Sequence, residues 1–311
     1  MPCRPRISVS LFSATLAETA AKHFHPMQIY GIDFTSAPGK RKPITCAQGS
    51  FDGNTLTITA LEHFFDFEAF EEWLKRSGPW IAAMDFPFSQ PLRWVRDMGW
   101  PTVWEAYVAL IAKMALTEFA DSIKTYRNQQ PAGEKYHLRP IDRVAKACSP
   151  MMIDYTPVGR MFYQGAKRLL QSDATILPFI HRSPDKIVVE GYPALIARMF
   201  CGKQGYKSDD KIRQQCERRR KARLEIIAGL TYETLQQRYG FQLHLSWAIL
   251  QQLETSDGDN LDAVLCAIQA AWAFTKRAQN YGIPNTSEAL EGWIADPGFL
   301  MTPDPSSGEQ K

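Results

Sequence analysis

Read from its N-terminus, the chain shows its first firm pattern at Gln28–Phe34, an apolar run that reads as a buried strand. The Pro38-Gly39 break follows, and Pro43–Phe51 reads as a second strand. Asp52-Gly53 is a two-residue hairpin signal. Beyond it, Thr55–Leu61 alternates: Leu56, Ile58 and Ala60 face one way and Thr55, Thr57 and Thr59 the other, the mark of a half-buried strand. The spacing of Phe67, Phe70, Trp73 and Leu74 predicts a helix over Asp66–Arg76, stopped by Ser77-Gly78-Pro79. Trp80–Asp85 is a fourth strand, reached by a connection long enough to cross over and lie parallel to the first.

A long helix is expected over Val103–Tyr126. Residues 128–185, rich in Pro, Gly and Arg, read as an irregular insert. Lys186–Glu190 is the fifth strand, closed by Gly191-Tyr192-Pro193. Helices are expected over about 194–200, 209–229 and 231–239. The last runs from Asp259 to about Gln279 with a buried stripe of Leu261, Val264, Leu265, Ile268 and Trp272. No internal repeat interrupts this order. A three-strand meander, two strands added by crossovers and a final helix describe an α/β fold of RNase H-like type. Its mixed five-stranded sheet is flanked by helices, with the insert between strands four and five.

The ends of the chain stand apart. Residues 1–26 are basic and Ser/Ala-rich, loosely resembling a targeting leader, but Ser8, Ser10, Ser13 and Thr15 interrupt the apolar stretch. They read as a disordered or spurious extension, with Met27 as the natural start; His23 and His25 fall there. One domain is expected over 27–300, and the Pro/Ser/Gly-rich tail over 301–311 reads as disordered. With 45% hydrophobic and 22% charged residues, the chain has the balance of a globular protein that needs no staples. The net charge of +3 permits a nucleic-acid partner without demanding one. Six cysteines form no C-x-x-C pair and no zinc-finger spacing, so reduced thiols and a cytoplasmic location are expected. No apolar run reaches the ~20 residues that span a bilayer, and no membrane partner is expected.

The chemistry is carried by acids at element ends. Asp33, Asp85 and Glu190 close the first, fourth and fifth strands, and parallel strands bring those ends to one sheet edge, where open α/β sheets place ligands. Asp259 and Asp262, spaced i, i+3, share a face at the start of the last helix. Asp259 also suits the N-cap position there. Clustered carboxylates repel, and a hard divalent cation removes the conflict. Asp33, Asp85, Glu190, Asp259 and Asp262 are therefore candidate ligands for Mg²⁺ or Mn²⁺, and Asp33, Asp85, Glu190 and Asp262 candidate catalytic residues of a two-metal phosphodiester hydrolysis.

The motifs GIDFTSAP (31–38), AAMDFPFS (82–89), RPIDR (139–143), SPMMIDYTPVGRMFYQGA (149–166), VEGYPA (189–194), DNLDAVLCAIQAAWA (259–273) and EGWI (291–294) resemble the bacterial and archaeal domain of unknown function family 429. The resemblance spans about residues 28–296. It implies an RNase H-like fold and a predicted nuclease, with Asp33, Asp85, Glu190 and Asp262 on the acidic motif positions. Asp259 with Asp262 also resembles the paired acids on the last helix of Holliday-junction resolvases. One departure is Asp85, where many nucleases of this fold carry Glu at the end of strand four.

For the substrate, the run Lys203–Arg223 includes Lys207, Lys211, Arg213, Arg219 and Arg223, which could track a phosphate backbone or form a solvated helix face. Arg139, Arg160 and Lys167 in the insert are further candidates for phosphate contacts. Tyr155, Phe162 and Tyr163 could stack bases, but anchoring the insert to the core is the more common role. His137 and His181 flank this region as possible general acids. Two other function classes remain open on the residues alone. Thr35 and Ser36 after Asp33 vaguely suggest the phosphate loop of an actin-like phosphotransferase, although only one copy of the core is present. A non-catalytic nucleic-acid-binding or scaffold protein could keep the same fold.

Overall fold

A computed structural model describes residues 26–207, 217–230, 233–255, 258–285 and 290–299. It is an α/β structure built on a mixed sheet. Among the described residues there are seven strands: β1 (Met27–Asp33), β2 (Ile44–Phe51), β3 (Thr55–Phe64), β4 (Trp80–Met84), β5 (Thr175–Ile176), β6 (Lys186–Glu190) and β7 (Gln242–Leu245). Their order across the sheet is β5-β6-β4-β1-β2-β3-β7. β2 runs antiparallel to both its neighbours; every other pairing is parallel. The five expected strands are all present. The two additional ones are short edge strands, and four residues of mixed polarity (Gln242-Leu-His-Leu245) carry little periodic signal. The β2–β3 turn holds three residues rather than two. Asp52 Oδ1 accepts from the amides of Asn54 and Thr55 at 2.8 Å each, and Gly53 takes φ 105°.

Helices cover both faces. On one lie α1 (Phe67–Leu74), α2 (Leu92–Asp97), α3 (Trp104–Lys113), α4 (Leu116–Gln129) and α6 (Val158–Gln171), which pack on Tyr30, Ile32, Ala82, Met84 and Val188. The other face is lined by Ile29, Ile81, Ala83, Ile187 and Val189. It is covered by α7 (Ala194–Cys201), α8 (Glu217–Leu230), α9 (Glu233–Tyr239), α10 (Trp247–Thr255) and α11 (Asp259–Thr275). The short α5 (Pro140–Ala145) packs beside Ile294 and Phe299.

Three expectations are corrected. The single helix over Val103–Tyr126 is two, because Met114 and Ala115 are extended and the Ala115 amide donates to Glu118 Oε2 at 2.6 Å, starting a new helix. The irregular insert carries α5 and α6; the buried set Phe162, Tyr163, Ala166 and Leu169 follows helical spacing, masked in sequence by the Pro- and Arg-rich flanks. The last helix has no exposed face: every residue from Asn260 to Phe274 is buried, not a stripe alone. α11 reaches that depth by crossing β1 at Gly31, where a Cβ would collide with the backbone of Ala263 and Ala267.

Candidate metal centre

Strand register decides which acids meet. Ile32 pairs with Met84 and Met84 with Glu190, so these three point to one face, toward α1–α6. Asp33 is one residue beyond Ile32. The Asp85 amide bonds the Ile32 carbonyl at 2.9 Å, continuing the ladder one residue past β4. The period of two turns Asp33 and Asp85 to the opposite face, beneath α11. Gly258 (φ 115°), not Asp259, occupies the N-cap of that helix, and its first turn delivers Asp259 and Asp262. Carboxylate oxygens of Asp33, Asp85 and Asp262 all lie within 4.8 Å of one another.

Glu190 is placed elsewhere. Its carboxylate accepts from Arg139 Nη2 at 2.6 Å and Nη1 at 2.8 Å, and from the Phe88 amide at 2.9 Å. Arg139 also grips Asp142, through Nε at 2.9 Å and Nη2 at 2.7 Å, and the Glu291 carbonyl at 3.0 Å. Arg139, Asp142 and Glu190 are all buried. Two expectations change here: Glu190 does not join the acid cluster, and the Arg139 guanidinium is committed to protein carboxylates rather than offered to a phosphate.

Lys207 also changes role. Its Nζ pairs with Asp262 Oδ2 at 2.5 Å, Asp259 Oδ1 at 3.1 Å and Asp33 Oδ2 at 3.3 Å. The preceding Tyr206 donates its hydroxyl to Asp262 Oδ1 at 2.7 Å. The basic run holds this segment in place: Arg219 Nε bonds the Lys207 carbonyl at 3.2 Å and Arg223 Nη1 the Tyr206 carbonyl at 2.7 Å. These two arginines are thus used on backbone, and Arg223 is buried. Lys211 and Arg213 lie outside the described residues. Nothing in the sequence marks Tyr206 and Lys207 as partners of the acids, because the pairing joins residues more than fifty positions apart.

The remaining candidates lie off the site. Arg160 Nε bonds the Ile153 carbonyl at 2.9 Å, and Lys167 sits over the Tyr163 ring at 4.4 Å. Phe162 and Tyr163 are buried in the core, while Tyr155 is fully exposed. His137 is buried, with Nε2 2.7 Å from the Tyr126 hydroxyl. His181 is exposed, away from the cleft, and His23 and His25 lie outside the described residues.

Asp33 and Asp85 open onto a cleft of about 380 Å³. Asp33, Asp85, Thr35, Ser36, Lys42 and Lys207 line one part, Arg139, Glu190 and Tyr192 another, and Phe86, Pro157, Val158 and Met161 supply an apolar wall. No family model, curated protein or solved structure matches the chain.

Electrostatics favours a cation here. Burial raises the Asp33 carboxyl well above its usual range, against the pull of Lys207. Burial and the neighbouring Asp262 push Asp85 up to about 7. Burial likewise raises Asp262, with Lys207 and Tyr206 opposing. Burial acts on Asp259 too, but Lys207 outweighs it and holds that carboxyl low. Burial would depress the Lys207 ammonium, yet Asp262, Asp33 and Asp259 together raise it. The three ion pairs of the Lys207 ammonium omit Asp85, while Lys42 also acts on Asp259. An all-oxygen set of this density suits a hard divalent ion.

Proposed function

We propose that the protein is a metal-dependent nuclease of RNase H-like type, hydrolysing phosphodiester bonds of DNA or RNA with Mg²⁺ or Mn²⁺. The observation that carries the reading is the convergence of Asp33, Asp85 and Asp262 within 4.8 Å, with Asp33 and Asp85 lining a cleft. The central strand order β3-β2-β1-β4-β6, with β2 alone reversed and a final helix bringing an acid to β1, supports the fold assignment. The resemblance to domain of unknown function family 429 agrees with it. Among the described residues no helix is long and apolar enough to cross a membrane. The described cysteines are unpaired, which suits the cytoplasm.

Asp33, Asp85 and Asp262 would hold the metal, which when bound polarises a phosphoryl oxygen and acidifies a water. Lys207 and Tyr206 fix the orientation of Asp262 and leave Asp85 facing the cleft. Arg139, shared between Glu190 and Asp142, lessens the repulsion that Glu190 would exert on an entering phosphate. The apolar wall of Phe86, Pro157, Val158 and Met161 gives a sugar or base a surface free of competing hydrogen bonds.

The test is Mg²⁺- or Mn²⁺-dependent cleavage of a panel of single- and double-stranded DNA and RNA. Activity is expected in the wild type and lost in Asp33→Asn and Asp262→Asn. Cleavage that survives both substitutions would overturn the proposal. A second reading, a non-catalytic nucleic-acid-binding or scaffold protein, is favoured by one observation: Lys207 already satisfies three of the four acids. It predicts no binding of Mg²⁺ or Mn²⁺ at the cluster.

A further inference from the structure

The two-ion arrangement expected from five acids needs a second set of donors, and the structure has already spent them. Glu190 points to the opposite face of the sheet from Asp33 and Asp85. There it takes two bonds from Arg139 and one from the Phe88 amide. Asp259 lies outside the group of acids whose oxygens all converge within 4.8 Å. What remains convergent is Asp33, Asp85 and Asp262, enough carboxylates for one hard ion that keeps its other positions for water and substrate.

We infer that this centre takes a single divalent cation per chain, and that the Lys207 ammonium supplies the positive charge a second ion would bring. The inference rests on the metal-dependent reading above and deepens it. Lys207 is built in rather than passing by. Its backbone carbonyl is held by Arg219, that of Tyr206 by Arg223, and a Cβ on Gly258 would stand 2.9 Å from the Lys207 Cβ. Only the glycine lets the start of α11 and this lysine approach so closely. A point charge on a flexible stem can bridge Asp33, Asp259 and Asp262 without claiming the cleft-facing Asp85. Lys207 is therefore a positioning residue: it holds the carboxylates of two elements, β1 and α11, in one arrangement before the ion arrives.

The deciding measurement is Mn²⁺ titration of the full chain, followed by the paramagnetic resonance signal of free Mn²⁺ and by calorimetry, without nucleic acid. Wild type is expected to bind one ion. Lys207→Met, which frees oxygens on three carboxylates, is expected to bind a second; Lys207→Arg, which keeps the charge, is expected to remain at one. Two ions in the wild type overturn the inference while leaving the metal-dependent reading intact, and that result does not depend on any variant folding. A Lys207→Met protein that folds, by its circular dichroism, and still takes one ion with unchanged affinity also overturns the role of Lys207. No binding by wild type or by Asp85-retaining variants overturns both the inference and the reading on which it stands.

Discussion

Arg139 spreads one guanidinium over two buried carboxylates, Asp142 and Glu190, and closes a salt bridge to each, at 2.7 and 2.6 Å. Removing one member of such a group strands buried charge and typically costs ~3–5 kcal/mol. Arg139→Met is expected to destabilise by about that amount in urea unfolding, and Arg139→Met with Glu190→Gln by less than the two single losses added. Asp85 makes the opposite case. It is the acid that Lys207 leaves unpaired, and burial with Asp262 close by pushes it up to about 7. Asp85→Asn is expected to weaken Mn²⁺ binding severely while leaving stability unchanged or improved. Glu190→Gln is expected to lose stability and keep the ion. Finding the two phenotypes exchanged would show that the ligand set has been assigned to the wrong face.

At the scale of elements, the site depends on how closely α11 lies on β1. Gly31 sets that distance, since a Cβ there meets the backbone of Ala263 and Ala267. Gly31→Ala is expected to cost ~1–3 kcal/mol by overpacking. It should also weaken metal binding, because the displaced helix carries Asp262 away from Asp33; calorimetry beside urea unfolding checks both. Much of this level was legible. Apolar runs and alternation marked β1–β4 and β6, and chain order alone sent their acidic ends to one edge. The period of two was also available in sequence: Ile32, Met84 and Glu190 share a parity that Asp33 and Asp85 do not, once the register is known. Register is a tertiary fact, so chain order alone does not separate Glu190 from Asp33 and Asp85. The same limit hid Lys207 and Arg139. A charge run reads alike whether it tracks phosphate or pins a neighbouring carbonyl, and only the fold brings Arg219 and Arg223 against the backbone of Tyr206 and Lys207.

Across the whole molecule, the sheet separates two apolar layers, and the acid cluster sits where one of them ends beneath α11. Charge there is linked to the stability of the entire fold. In the metal-free protein, Asp33, Asp85 and Asp262 hold their protons more tightly folded than unfolded, with Asp85 at about 7. A raised carboxyl makes the folded state bind more protons than the unfolded chain between the unfolded value, about 4, and the folded one. Its contribution is therefore complete at low pH and is lost as pH rises through the folded value, about 7 for Asp85, each such group tilting stability downward by at most ~1.4 kcal/mol per pH unit. Asp259, held low by Lys207, tilts the other way, but below about pH 4, outside that window. Saturating Mg²⁺ should flatten the slope: the ion binds the ionised carboxylates, its affinity climbs as they deprotonate, and stabilisation grows with the logarithm of its concentration. Thermal unfolding between about pH 5 and pH 8, with and without Mg²⁺, should give two curves that converge at the acid end and diverge toward pH 8. Asp85→Asn should make the metal-free curve shallower and remove most of the divergence. Parallel curves for the wild type would mean that the ion stabilises the chain somewhere other than these carboxylates.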